Sequence, residues 1–82
     1  MSRWEELGRL VQAEHTAYTA YVAEKNPSVG RVYPTRVTRA RKAWVASLDD
    51  RNEVADALAV ELGVRRSSVL GRYLLGTYEE DE

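Results

Sequence analysis

Side chains recur at spacings of three and four residues through the first 25 positions of this chain, and this periodicity restricts its fold. The side chains that share the pattern are Trp4, Leu7, Val11, His15, Tyr18 and Val22. Such spacings place side chains on one face of an α-helix, whereas a strand requires alternation. Ser2 is the expected N-cap, with Glu5 three residues later, and Asn26-Pro27 is the expected stop. The sequence therefore predicts a long helix over 2–25.

Three shorter helices are expected after a loop, 26–34, that contains both prolines and a glycine. The predicted helices cover 36–48, 51–62 and 66–75, with candidate N-caps at Thr35, at Asp49 or Asp50, and at Ser67. Gly63 and Gly76 are expected to end the last two helices, because glycine tolerates the left-handed conformation of a helix terminus. The expected fold is a single all-α domain, 1–82, in which the N-terminal helix accompanies a three-helix core, 35–76.

Length and cysteine content suggest an assembly. The chain has 82 residues and no cysteine, which allows one domain and excludes disulfides and thiol catalysis. Small domains without such cross-links often gain stability by dimerising. We expect a homodimer through the N-terminal helix, because Trp4, Tyr18 and Tyr21 suit a half-buried interface. The alternative is that this helix only covers the core.

The sequence also predicts a cytoplasmic protein without a membrane segment. No apolar run approaches 18 residues, the minimum for a spanning helix. The first six residues are too charged for a secretory signal.

Charge is distributed unevenly along the chain. Residues 1–30 carry three basic and four acidic side chains, and residues 31–72 carry nine basic and five acidic ones. The last segment, 73–82, carries four acidic side chains and no basic one. A basic middle beside an acidic tail, 77–82, is typical of nucleic-acid surfaces, although a soluble domain with a solvated tail also explains it.

The segment 54–76 has the residue types of a tight helical corner. Ala59 is small enough for two helices to cross closely, and Gly63 can make the turn. Val64 and Val69 can face inward, with Tyr73 or Leu74 completing the anchor. This pattern, "ALAVELGVRRSSVLGRYLLG", resembles the helix-turn-helix of phage repressors and related bacterial regulators over residues 50–76.

The resemblance implies a small, sequence-specific DNA-binding protein, a phage or bacterial transcriptional regulator. Its partner would be double-stranded DNA, read in the major groove by the helix at 66–75. The implied base-reading residues are Arg65, Arg66, Ser67, Ser68 and Arg72. The implied phosphate contacts are Arg36, Arg39, Arg41 and Lys42. Gly71 departs from the expected pattern, because it lies inside the proposed recognition helix.

A second resemblance leads to a different fold. Ribbon-helix-helix repressors also carry "ELGV" followed by a basic residue and a serine. On that interpretation 41–48 is a β-strand that pairs with its twin in a dimer and reads the major groove. The alternation of Trp44, Ala46 and Leu48 permits a strand, whereas the alanines and basic residues of this segment are good helix formers.

No set of residues indicates catalysis. Ser67 and Ser68 lack a nearby general base, and the single histidine has no cysteine or suitably spaced carboxylate with which to bind a metal. We therefore expect no enzymatic activity, no cofactor and no metal.

The alternative function is a non-catalytic protein-interaction module, such as a small phage inhibitor of a host or defence complex. The arginines would then be surface charge. Reading DNA as a helix-turn-helix requires Arg36 or Arg39 on one face with Arg66 and Arg72, without acids between them, and a protruding last helix.

Overall fold

The computed structural model describes residues 2–76, which form three α-helices. These are α1 (Arg3–Lys25), α2 (Pro34–Leu62) and α3 (Arg66–Leu75). No strand occurs between residues 2 and 76, so the predicted all-α class is confirmed. The molecule is elongated, with extents of 48 × 21 × 19 Å. The acidic tail predicted at 77–82 lies outside the described residues.

Helix α1 begins and ends where the sequence predicts. The Ser2 hydroxyl accepts a hydrogen bond from the backbone N–H of Glu5 at 3.1 Å, which satisfies one of the free donors of the first turn. Glu5 and Glu6 place negative charge at the positive end of the helix dipole. The helix ends at Lys25, directly before Asn26.

The first two helices pack antiparallel as a long hairpin. At one end, Arg3 Nε lies 2.8 Å from Glu61 Oε1. At the other end, an Arg36 guanidinium nitrogen lies 2.9 Å from Glu24 Oε1. Such exposed ion pairs contribute only about 0–1 kcal/mol each, so they mark the register of the hairpin more than they stabilise it.

Helix α2 is continuous through the predicted break at Asp49-Asp50, so the prediction of two helices, 36–48 and 51–62, is wrong. Both aspartates are exposed within an unbroken helix. Glu14 of α1 explains the continuity, because its Oε1 accepts from Trp44 Nε1 at 3.1 Å and lies 4.0 Å from Arg51. One side chain of α1 thus holds α2 on both sides of the expected break. Packing along α1 overrides the weak helix preference of aspartate.

The alternative ribbon-helix-helix fold, with a strand at 41–48, is also wrong. This segment is helical throughout. A strand would put Trp44, Ala46 and Leu48 on one face, but Ala46 is exposed whereas Trp44 and Leu48 are partly buried against α1. The burial follows the helical spacing, because α1 supplies a partner for one stripe of a helix.

Two predicted N-caps are also wrong. Helix α2 starts one residue before Thr35, at Pro34, whose fixed φ and missing N–H suit the first turn. Helix α3 starts before Ser67, with Arg65 as its N-cap and no side-chain cap. The Arg65 carbonyl accepts the N–H groups of Ser68 and Val69, so the backbone alone closes this turn.

The hydrophobic core lies at one end of the hairpin, where α3 packs on it. Its buried residues are Trp4, Leu7, Val54, Ala55, Leu58, Ala59 and Val69. Leu7 and Val69 are fully enclosed, and burying such side chains stabilises a fold by about 1.5–3 kcal/mol each. The first half of α1 therefore joins the core that the sequence assigned to 35–76. Away from α3, the hairpin is only two helices thick.

Candidate nucleic-acid interface

The corner between α2 and α3 is built on a left-handed glycine. Gly63 has φ 67°, a conformation that other residues adopt only with strain. The N–H of Gly63 donates to Val60 O at 3.3 Å, and the N–H of Val64 donates to Ala59 O at 3.0 Å. These two bonds form the Schellman motif that satisfies the last carbonyls of a helix. The turn therefore directs α3 back onto α2.

Helix α3 has one buried side and one exposed side. Val69 faces the core and is completely buried, and Tyr73 packs beside it. The Tyr73 hydroxyl lies so near Gly8 that a Cβ there would come within 2.9 Å of it. Of the two anchors that the sequence left open, Tyr73 is therefore the anchor, whereas Leu74 is exposed.

Most of the predicted base-reading residues lie at the start of α3, whereas Arg72 lies in its last turn. Arg65, Ser67, Ser68 and Arg72 are all exposed. Because these side chains are exposed, they can reach a large polyanion with little rearrangement of the fold, although Leu74 and Leu75 are exposed on the same helix.

Arg66, the fifth member of this set, has an acidic partner. Its Nε lies 2.7 Å from Asp56 Oδ1 on α2, and both side chains are about half exposed. An exposed pair of this kind is worth about 0–1 kcal/mol, so a phosphate or a base edge can displace the carboxylate at small cost. An acidic group nevertheless stands beside the predicted base-reading residues, which the sequence pattern did not indicate.

The predicted phosphate contacts lie at the opposite end of the hairpin. Arg36 pairs with Glu24 and lies over the ring of Tyr33 at 5.6 Å. Arg39, Arg41 and Lys42 are exposed. About 23 residues of α2 separate Arg39 from the corner, which is about 35 Å along the helix. One chain therefore does not bring the two predicted sets together on one surface.

The aromatic side chains of α1 pack within the chain. Trp44 stacks on Tyr21 with ring centroids 5.5 Å apart, and it meets Tyr18 at 5.1 Å with tilted planes. Tyr18 is still 44% exposed. These contacts explain the aromatic residues without a partner, and the predicted dimer through α1 stays a prediction.

Several exposed apolar side chains escaped the sequence analysis. Val60, Leu74 and Leu75 are 82%, 76% and 78% exposed near the corner, and Val45 is 40% exposed in the middle of α2. Sequence spacing alone does not identify them, because α2 carries apolar residues on more than one side.

Residues 2–76 contain no cluster of three or more acidic or histidine side chains that could hold a metal ion. No helix in that range combines the length and apolarity needed to cross a bilayer. The chain matches no protein-family model, no curated protein and no solved structure. The resemblance to helix-turn-helix regulators therefore stays a prediction.

Proposed function

We propose that this protein binds double-stranded DNA through the exposed side of α3. The observation that carries the proposal is the two-sided character of this helix. Val69 is fully buried, whereas the N-cap Arg65 and the helical residues Ser67, Ser68 and Arg72 are exposed. The core holds α3 through Val69, and the exposed arginines and serines can offer hydrogen-bond donors to a major groove beside the apolar Leu74 and Leu75.

The hydrogen-bond donors of α3 suit both the base edges and the phosphates of DNA. Arginine can bind guanine O6 and N7 with two hydrogen bonds, which distinguishes bases. Serine hydroxyls and the first backbone N–H groups of a helix can bind phosphate oxygens, which fixes the register. The Arg66–Asp56 pair should lower the affinity for DNA, because Arg66 has to leave the carboxylate to bind a phosphate or a base edge, and the unpaired Asp56 then repels phosphate.

Titrating labelled duplexes of random sequence, at several salt concentrations, tests the proposal. We expect binding at low salt. The logarithm of the binding constant should fall linearly with the logarithm of the salt concentration. Arg65→Ala and Arg72→Ala should each weaken binding, and the salt slope should fall by about 1 if the lost contact is to phosphate. A change in the preferred sequence would instead assign the residue to base reading.

One further variant and two controls make this test more specific. Arg31→Ala removes an exposed arginine from the distant loop and should leave the affinity nearly unchanged. Asp56→Asn should strengthen binding because it removes a negative charge and releases Arg66, whereas Glu53→Gln, at an exposed site on the same helix, should do so less. Failure of the wild-type protein to bind any duplex at low salt would end the proposal.

A protein-interaction module is the second candidate, and the exposed apolar residues near the corner favour it. Val60, Leu74 and Leu75 leave most of their surface in water. Exposed apolar patches often mark protein contacts. Under this alternative the purified protein binds no duplex at low salt, and Leu74→Ser with Leu75→Ser abolishes its biological effect while Arg65→Ala does not.

A further inference from the structure

The outer side of α2 carries a patch that has no partner within residues 2–76. Six side chains define this α2 patch: Thr38, Arg41, Lys42, Val45, Ala46 and Asp49, which line one shallow groove. All six are exposed, and Val45 leaves 40% of its surface in water. The patch lies in the half of the hairpin that α3 does not cover.

Its charges are arranged in a self-complementary order. Arg41 and Lys42 form a basic end and Asp49 forms an acidic end, with Val45 and Ala46 between them. Lys42 and Asp49 are seven residues apart, so they share a stripe of the helix and are separated by about 10 Å along it. The midpoint between them falls between the two apolar residues.

We propose that the α2 patch binds a second copy of this chain in antiparallel orientation. A two-fold axis between Val45 and Ala46 brings Lys42 of each copy beside Asp49 of the other, so the favourable pair forms twice. A parallel arrangement would place like charges side by side and is disfavoured. Ala46 is small and allows the two helices to approach closely at the axis. The interface thus lies on α2, and not on α1.

This dimer would reunite the two predicted sets of basic residues, a consequence that rests on the proposed function. Antiparallel pairing about this axis puts Arg36 of one copy level with Ala55 of the other, where α3 packs. Each end of the dimer would then carry one α3 and the basic start of one α2. The two copies of Ala55, where α3 packs, would lie 19 residues apart along the dimer, or about 28 Å. That separation is shorter than one turn of B-DNA, about 34 Å.

Charge reversal tests the pairing in the absence of DNA. Sedimentation equilibrium should show a reversible dimer for the wild-type protein. Lys42→Glu and Asp49→Lys should each weaken it by about tenfold or more, because both pairs become repulsive. Combining the two substitutions in one chain should restore the dimer. Mixing the two single variants should produce a heterodimer, since positions 42 and 49 are then both acidic in one copy and both basic in the other.

Disulfide cross-linking tests the orientation of the two copies. Because the chain has no native cysteine, any disulfide must form at the introduced position. Ala46→Cys places a thiol at the two-fold axis and should oxidise rapidly to a covalent dimer. Val60→Cys is the matched control on the same helix, 82% exposed and remote from the axis. It should not cross-link in an antiparallel dimer, whereas a parallel dimer would cross-link at both positions. Circular dichroism of every variant checks that the helices are intact.

The outcomes separate this inference from the proposed function. A wild-type protein that stays monomeric at its highest soluble concentration overturns the inference, as does a double charge variant that fails to restore association. A dimer that binds no duplex leaves the inference standing and removes the proposed function. Selection on random duplexes should yield two-fold symmetric pairs of half-sites if both are correct.

Discussion

At the scale of single residues, Glu14 joins the middle of α1 to two turns of α2. Its carboxylate accepts from the Trp44 indole and lies near Arg51, although these residues stand in different turns of α2. The Glu14 side chain is only 17% exposed, so water screens these contacts less than those of the surface ion pairs. A helical pattern does not reveal such a residue, because a glutamate in α1 has the same sequence signature whether it is solvated or paired.

Replacing Glu14 should therefore reduce stability. We expect Glu14→Ala to lower the free energy of unfolding by about 1–2 kcal/mol, because the Trp44 N–H and Arg51 lose a charged acceptor. Chemical denaturation measures the change. The exposed Glu53→Ala, the same substitution in α2, should change stability by less than about 0.5 kcal/mol. Equal effects at the two positions would mean that Glu14 contributes through helix propensity alone.

At the scale of elements, the ends of helices follow local chemistry while their continuity does not. The Ser2 cap and the left-handed Gly63 act within a few residues, and both work as the sequence predicts. The unbroken passage of α2 through Asp49-Asp50 depends on α1, which lies far away in the sequence. An aspartate pair can cap a helix or lie within one, and local pattern does not decide between these roles.

The two glycines near α3 should respond in opposite ways to alanine. Gly71 lies inside the helix with open space around its absent Cβ, so Gly71→Ala should raise stability by about 0.5–1 kcal/mol. Gly63 has space as well but a positive φ, so Gly63→Ala should lower stability by about 1–2 kcal/mol. Thermal unfolding of both variants provides the measurement. A stabilising Gly63→Ala would contradict the left-handed turn.

At the scale of the whole molecule, stability is concentrated at one end. All of the buried apolar residues of the core lie where α3 meets the hairpin, and α1 and α2 continue beyond it as a two-helix layer. Because local opening follows the local density of buried contacts, the two ends of one hairpin should open with different free energies.

Hydrogen exchange should resolve this asymmetry. We expect the slowest amides in 4–11 and 54–62 and faster exchange in 18–25 and 34–45 at low protein concentration. If the α2 patch forms a dimer, amides in 41–49 should become protected as the concentration rises, while those in 54–62 change little. Uniform protection along α2 at low concentration would contradict the uneven stability.

The all-α class, the limits of α1 and the corner at Gly63 could be predicted from the sequence, because capping, periodicity and left-handed glycine act over a few residues. The continuity of α2, the contact between Arg66 and Asp56, and the burial of Val69 but not of Val45 depend on packing between helices. Both valines sit in helices with apolar neighbours. Their burial differs because α3 covers one end of the hairpin and leaves the other uncovered, and long-range packing of this kind is not encoded in local spacing.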